Sequence, residues 1–566
     1  MTASAALPED LREATERWLA DDPSPQDRSE LQRVLADAQA GSTAAIDDLR
    51  ARMLAPLAFG TAGLRGPLRA GPAGMNLAVV RRAAAGIGAY LLSTDGPGTT
   101  VVVGHDARHR SAEFARDAAG VLAALGFSVL LASAALPTPL TAYAVRALDA
   151  VAGLQVTASH NPPADNGLKV YLRGGVQLVG PADRDIEQLI ALAPPARSVD
   201  NSGCAAPWPA DLLERYLARA AAVGGTRQSA AGADRPLRIA ATPMHGVGGR
   251  TLLDALRQAG FTDVTLVGSQ AEPDPDFPTV PFPNPEEPGA TDALLALAAD
   301  IGADLAIAND PDADRCSIGV PGVDGAWRML SGDETGCLLG DQLLAGLDGA
   351  LHPDPLVATT IVSSQLLGRI AAARGARYDE TLTGFKWIVR AGDGEGTGLV
   401  FGYEEALGLA VDPAAVRDKD GISAAVLAAR IVDDLRAAGR TVGDALDDLA
   451  RAHGLHTTGA VSLRVQQLSQ IGDWMAALRA DPPAALLGQP VTSTDDLLPR
   501  TDGLRLRTAD TRVVIRPSGT EPKLKCYLEI VTSVPADADL SQLRTAAEAR
   551  MAALRTEITH LIHQQA

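Results

Sequence analysis

The chain reads as an α/β protein of about four domains, three built on one plan and a smaller fourth of α+β character. Three observations carry that expectation. At roughly 150 residues per domain, 566 residues fill about four domains. A β-rich run, a polar loop, an amphipathic helix, a glycine and a second β-rich run recur at 100–133, 237–269 and, less cleanly, 355–384. Units of this spacing imply parallel sheets with crossover helices. After the third unit the pattern changes to alternating or continuous β-rich runs, VSLRVQQ, LRLRT, TRVVIRPSG and KLKCYLEIVTS, closed by the helical SQLRTAAEARMAALRTEITHLIHQQ. Any large α/β enzyme contains strand–helix–strand units, so the copies alone leave true repetition open.

The first fifty or so residues predict helices. In SELQRVLADAQAG, Leu31, Val34, Leu35 and Ala38 share a face, and Gly41 is placed to end the helix. Joints rich in Pro and Gly near 193–209 and 319–325 mark candidate domain boundaries. The longest apolar run, 121–136, contains Gly126, Ser128 and Ser133 and stops at Pro137. It falls short of the about 20 residues that a membrane span needs. The N-terminal MTASAALPEDLREATERWLADD carries acids where a signal peptide needs a basic start and an apolar core. Cys204, Cys316, Cys337 and Cys526 lie far apart with no CxxC pair, which fits a reduced cytoplasmic protein rather than a disulfide scaffold or a zinc site.

Hydrophobic residues make up 46% and charged residues 21% of the chain, which excludes wholesale disorder. Fifty Lys and Arg against 69 Asp and Glu leave a formal charge of −19. A phosphate backbone selects a basic surface, so nucleic acid is excluded as the main partner. Aromatics at 4% provide no base-stacking platform. A few placed cations still bind a small phosphate inside an acidic protein.

Five stretches carry chemistry. In VTASHNPPADNGLKVYL a β-rich run delivers Ser159 and His160 onto a loop that Pro162 and Pro163 keep from becoming helix. A serine held this way suits a nucleophile or a phosphate carrier; a turn or cap is the alternative. The glycines of a GxSxG elbow are missing. In ANDPDADR, Asp310, Asp312 and Asp314 follow the apolar DLAIA, at the carboxyl end of a strand where α/β sheets place ligands. Alternating carboxylates on extended backbone converge on a hard cation such as Mg²⁺. Arg315 and Pro321 stand where an EF-hand needs Gly and Glu. A solvated acidic loop is the competing reading, weakened because each like-charge pair at about 4 Å costs about 4 kcal/mol at an effective dielectric near 20.

In RPSGTEPK, Arg516, Ser518, Gly519, Thr520 and Lys523 gather two hydroxyls, freed backbone N–H groups and two cations, a phosphate cradle or else a plain turn. GYEEALG sets Glu404 and Glu405 after the strand-like GLVFG, suited to accepting hydrogen bonds from hydroxyls, and TGFKW offers the cation Lys386. Both stretches also read as purely structural. HGVGG does not complete GxGxxG, so no dinucleotide site is expected.

Together these segments resemble the α-D-phosphohexomutase superfamily. The resemblance runs in order along nearly the whole chain: FGTAGLRG at 59–66, TASHNPPADNGLKVY at 157–171, NDPDADR at 309–315, TGFKW at 383–387, GYEEALG at 402–408 and RPSGTEPKLKCY at 516–527. The helical extension, GYEEALG and VRDKDG at 416–421 are most similar to the bacterial phosphoglucomutase/phosphomannomutase branch that also holds phosphopentomutases and glucose-1,6-bisphosphate synthases.

The resemblance implies a heart-shaped arrangement of three related α/β sandwich domains and a smaller α+β C-terminal domain. The expected spans are 1–205 with the helical extension and the phosphoserine loop, 206–325 with the metal loop, 326–455 with the sugar loop and 456–566 with the phosphate loop. It implies Ser159 as the phosphoserine, with Asp310, Asp312 and Asp314 holding Mg²⁺ together with an oxygen at Ser159. Arg315 lies beside them, and Arg65 and His160 flank the transferring phosphate. Lys169 and Lys386 become candidates for proton transfer or charge stabilisation. Glu404 and Glu405 bind sugar hydroxyls, while Arg516, Ser518, Gly519, Thr520 and Lys523 clamp the phosphate that is not reacting. Ala406 stands where the family commonly has a serine, so one hydroxyl contact is missing.

The implied activity interconverts glucose 1-phosphate and glucose 6-phosphate, with glucose 1,6-bisphosphate as intermediate and activator. Phosphopentomutase, phosphomannomutase or bisphosphate synthase activity on the same scaffold are alternatives, and a metal-dependent sugar phosphatase is a further one. The expected partner is a small phosphosugar, with neither nucleic acid nor membrane.

Overall fold

The structure, a computed structural model, describes residues 6–60, 63–225, 235–322, 324–465, 467, 469–518 and 523–564. The chain divides into two compact units. One comprises Met1–Pro321, Trp327–Met329 and Gly408–Arg430; the other comprises Gly322–Ala326, Leu330–Leu407 and Ile431–Ala566.

The first unit opens with helices Glu9–Asp21, Pro25–Gln39 and Thr43–Met53. Ser24 and Ser42 cap the second and third by accepting from the backbone N–H groups of Asp27 and Ala45. Leu31, Leu35 and Ala38 are buried against Leu11, Ile46 and Leu49, with Val34 packed at the edge, as the periodicity predicts.

Two sheets follow in this unit. The first runs Leu64–Pro67, Asp165–Leu172, Ala152–Val156, Thr100–His105, Ser128–Leu131, Ala206–Pro207. The second runs Trp327–Met329, Ser317–Pro321, Leu305–Ala308, Arg238–Thr242, Asp263–Leu266. In the other unit Leu356–Thr360 lies between Arg377–Thr381 and Leu399–Glu404.

The three sheets share one wiring. Each repeat's first strand (Thr100–His105, Arg238–Thr242, Leu356–Thr360) pairs in parallel with the strand that follows its crossover helix. On its other side the same strand pairs in parallel with the repeat's third strand. True repetition, which the sequence left open, is therefore what the fold contains. These first strands are buried almost end to end, as expected of strands covered on both faces.

The C-terminal region is different. Strands Leu455–Arg464, Lys523–Thr532, Thr511–Pro517, Leu504–Arg507 and Ser493–Asp496 form an antiparallel sheet. Burial alternates along much of its first two strands; one face meets Met551, Leu554 and Ile558 of the closing helix Leu540–Gln564, and the other packs Val514 and Tyr527 against Ile361 and Val362. The 121–136 run splits into the end of helix Ser111–Ala124 and strand Ser128–Leu131. Among the described residues no helix is long and apolar enough to cross a membrane.

Candidate active site

Three of the chemistry-bearing loops occupy one topological position. Ser159 follows Ala152–Val156, the three aspartates follow Leu305–Ala308, and Glu405 follows Leu399–Glu404, each at the carboxyl end of a repeat's third strand. Each loop also holds a non-glycine residue in the left-handed region: Ser159 at φ 50°, Ala313 at 55° and Leu407 at 65°. Strain of this kind persists where surrounding structure imposes it, and it gathers at functional sites.

In the first unit Ser159 is 3% exposed. Its hydroxyl donates to Asp310 Oδ2 at 2.7 Å, and His160 Nδ1 lies 3.1 Å from Ser159 Oγ. Burial, then the charges of Arg315 and Arg65, hold the His160 imidazole well below its ordinary pKa, hence neutral. Arg65 donates to Asn161 Oδ1 at 3.1 Å, on the Ser159 loop.

Asp310, Asp312 and Asp314 are buried, each offering an oxygen within 4.8 Å of the others. The backbone behind them is pressed against Gly246 of HGVGG, where a Cβ would stand 2.3 Å from Pro311 Cα. Lys169 bridges two of the carboxylates, reaching Asp312 Oδ2 at 2.7 Å and Asp314 Oδ2 at 2.6 Å. Lys419 of VRDKDG lies 3.3 Å from Asp314 Oδ2, and the Thr138 hydroxyl donates to Asp312 Oδ2 at 2.6 Å. The Arg315 backbone N–H donates to Asp310 Oδ1 at 3.1 Å, while its guanidinium pairs with Glu286 at 3.1 Å.

The donor set fits a divalent cation. Asp312 Oδ1 and Asp314 Oδ1 are buried without a hydrogen-bond partner among the described residues. Among the described residues no lysine pairs with the Asp310 carboxylate; burial, with Asp312 and Asp314 beside it, pushes its carboxyl well above the usual range. Buried carboxylate oxygens left without a protein partner are the hard donors that Mg²⁺ takes.

In the second unit Glu405 Oε2 accepts from Ser363 Oγ at 2.7 Å and Thr360 Oγ1 at 3.2 Å. Burial and the neighbouring Glu404 raise its carboxyl to about 7. Gly332 lets the loop's backbone close in, since a Cβ there would lie 1.9 Å from the Glu405 carbonyl oxygen. Lys386 is the second residue of the short helix Phe385–Ile388, its Nζ 5.9 Å from the centre of the Trp387 ring. Arg516 and Lys523 end and begin paired antiparallel strands, and Ser518 N–H donates to the Lys523 carbonyl at 2.8 Å. Arg516 Nε is buried without a partner among the described residues. Gly519 and Thr520 lie outside the described residues.

Three participants escaped the sequence reading. Arg108, 4% exposed, donates to the carbonyls of Ser159 at 2.6 Å, Asn161 at 2.5 Å and Pro162 at 2.8 Å, and so moulds the serine loop. Its signal was HDAR, directly after the first strand of the first repeat. Lys419 stood within a motif already noted, and Ser363 lies in VSSQ after the corresponding strand of the third repeat.

Residues 56–194, 214–322, 331–453 and 463–542 match, in order, the phosphoglucomutase/phosphomannomutase alpha/beta/alpha domains I, II and III and the C-terminal domain. The chain belongs to the phosphoglucomutase/phosphomannomutase family. Within this family it is 41% identical to the "Probable phosphomannomutase" of Haemophilus influenzae, covering 82% of this chain and 95% of that one. It is 33% identical to the "Probable phosphoribomutase" of Schizosaccharomyces pombe, covering 92% and 93%. To a "Phosphoglucomutase" of Staphylococcus aureus it is 31% identical, covering 84% and 89%. Family membership makes the protein a phosphohexomutase-type isomerase of three related α/β domains and a C-terminal domain. The relatives divide among mannose, ribose and glucose phosphates.

Proposed function

We propose that the protein interconverts glucose 1-phosphate and glucose 6-phosphate, with Ser159 as the phosphoryl carrier and glucose 1,6-bisphosphate as the intermediate. The observation that carries this reading is the Ser159 hydroxyl hydrogen-bonded at 2.7 Å to one member of a buried aspartate triad. A carboxylate cluster beside a serine would repel a phosphoserine, which itself brings about −1.5 to −2 charges. The cluster makes chemical sense when Asp310, Asp312, Asp314 and a Ser159 oxygen hold Mg²⁺, which offsets that charge during in-line transfer.

In one half-reaction the bond from phosphorus to Ser159 Oγ breaks as one forms to a sugar hydroxyl oxygen. The hydroxyl proton passes to a base, and Oγ takes up a proton. The bisphosphate reorients by about a half-turn, and the reverse transfer from its other end restores phosphorylated Ser159. Arg65, Arg315 and neutral His160 surround the phosphoryl group. The two ion pairs of Lys169 favour a charge-stabilising role for it, with Lys386 as the proton-transfer candidate. Glu404 and Glu405 accept from sugar hydroxyls, and Arg516, Ser518, Gly519, Thr520 and Lys523 hold the idle phosphate.

A second reading, phosphomannomutase, is favoured by the 41% relative. Adjacent carboxylates receive vicinal hydroxyls of either hexose. The test compares kcat/KM on glucose 1-phosphate, mannose 1-phosphate and ribose 1-phosphate, with Mg²⁺ and trace bisphosphate. A clear preference for mannose or ribose overturns the glucose assignment. Release of free phosphate at the turnover rate, with no phosphate retained on Ser159, overturns the mutase mechanism.

A further inference from the structure

A cleft of about 440 Å³ in the second unit plays no part in the reaction described above. Four arginines from four elements line it: Arg369 on helix Leu366–Arg374, Arg451 on helix Val442–His453, Arg507 at the end of strand Leu504–Arg507, and Arg512 on Thr511–Pro517. The cleft also contains two acids, and both are already matched. Asp510 accepts from Arg550 at 2.9 Å, and Glu529 pairs with Arg512 at 3.0 Å and with His456 at 2.9 Å.

Arg369 donates to the His453 carbonyl at 2.6 Å, and Arg451 to the carbonyls of Ala536 and Ala538 at 3.5 and 3.4 Å. The Arg507 guanidinium makes no hydrogen bond or ion pair among the described residues, Glu380 and Asp495 acting on it only at longer range, and neither Arg369 nor Arg451 is ion-paired there. Three guanidinium groups without an ion pair among the described residues, around one concavity in a chain of net charge −19, form a local field that selects an anion. Guanidinium forks match phosphate oxygens bidentately, and the volume exceeds what a single phosphate fills.

The wall of the cleft is also the support of the sugar loop. Arg512 donates to the Ser363 carbonyl, and Ser363 Oγ donates to Glu405 Oε2 at 2.7 Å. Glu529 Oε1 accepts from Ser364 Oγ at 2.7 Å and from the Gln365 N–H at 2.9 Å. A ligand that draws on Arg512 thus acts on the segment that orients Glu405. We propose that this cleft is a second anion site, taking a small molecule with two or more linked phosphate groups, and that its occupancy tunes sugar binding at Glu405.

Titration calorimetry of the full chain with sodium pyrophosphate tests the site. Wild type is expected to take up one equivalent more than the Arg451→Gln/Arg507→Gln variant, whose thermal melting should match wild type. Ala509→Glu, which sets a negative charge on an exposed position of the cleft, should lose the same equivalent. Equal stoichiometry in wild type and both variants overturns the site. In the mutase assay pyrophosphate should shift the wild-type KM about fivefold beyond its shift in either variant, with basal turnover alike in all three. Equal shifts overturn the link to Glu405. Parallel titrations with inorganic phosphate and with ATP separate a free phosphate from a phosphate ester. Citrate bound in preference to all three phosphates overturns the phosphate assignment.

Discussion

The aspartate loop and the Glu405 loop stand at the same place in two copies of one repeat, yet Asp312 and Asp314 on one and Glu405 on the other are in opposite electrostatic states. Asp312 and Asp314 face ammonium groups of Lys169 and Lys419. For Asp312, burial would raise the carboxyl, but Lys169 and the hydrogen bonds from Lys169 and Thr138 hold it below the usual range. Among the described residues Glu405 meets the hydroxyls of Ser363 and Thr360 and the carboxylates of Glu404 and Asp333, so burial prevails and its carboxyl rises to about 7. Strand wiring therefore decides where a loop emerges, while the counter-charges brought to it decide its chemistry. Asp312 and Asp314 are held ionised by the lysines beside them, while Glu405 is poised near neutrality, a donor as well as an acceptor when protonated and an acceptor alone once ionised.

The comparison breaks most visibly at Ser159. Ser159→Ala is expected to lower turnover by about 10⁴-fold or more, since the phosphoryl carrier is gone. Circular dichroism and melting should match wild type. A fully active Ser159→Ala, or wild-type protein free of phosphate on Ser159, would end the carrier reading. Next in size is cation removal. EDTA should lower kcat by about 10²- to 10³-fold, restored by Mg²⁺; undiminished activity in chelator would reduce the triad to a structural ion-pair cluster.

Arg108→Ala removes several hydrogen bonds to buried carbonyls and is expected to cost about 3 kcal/mol of stability, read as a lower denaturant midpoint, with kcat down about tenfold. A midpoint like that of wild type would show that the serine loop keeps its shape without Arg108.

The smallest effect sharpens the contrast itself. If Glu405 must be ionised to bind sugar, KM should fall as pH rises through about 7 and level off above it. Glu405→Gln should raise KM about tenfold and flatten that dependence. The linked effect on folding has the opposite sign. A carboxyl raised in the folded state favours the protonated form, so its contribution is full below the unfolded value near 4.5 and lost as pH rises through about 7. A KM independent of pH between 6 and 8 would count against Glu405 as the acceptor.

Much of this was readable residue by residue. The repeats at 100–133, 237–269 and 355–384 emerged as strand–helix–strand units; the aspartates, Glu405 and Ser159 stand on the loops expected of them, while Glu404 closes the strand before its loop. Those features are local: side-chain periodicity and turn residues act over a few positions, and a strand's end declares where its loop begins. The sequence also showed the helical start and the change of pattern in the C-terminal region.

Partnerships across the chain were not readable. Lys169 was singled out for chemistry, but nothing in LKVYL reveals that its ammonium spans two carboxylates some 145 residues away. Arg108 is an ordinary loop arginine until the fold brings four carbonyls of the serine loop around it. The arginine cleft gathers side chains from four elements that share no motif. The sequence by itself determined the repeat, the loops and the residue types that can hold a cation, a phosphate or a hydroxyl. Only the tertiary structure decided which charges meet, because a pKa and an ion pair depend on distance and burial in space, and spacing along the chain records neither.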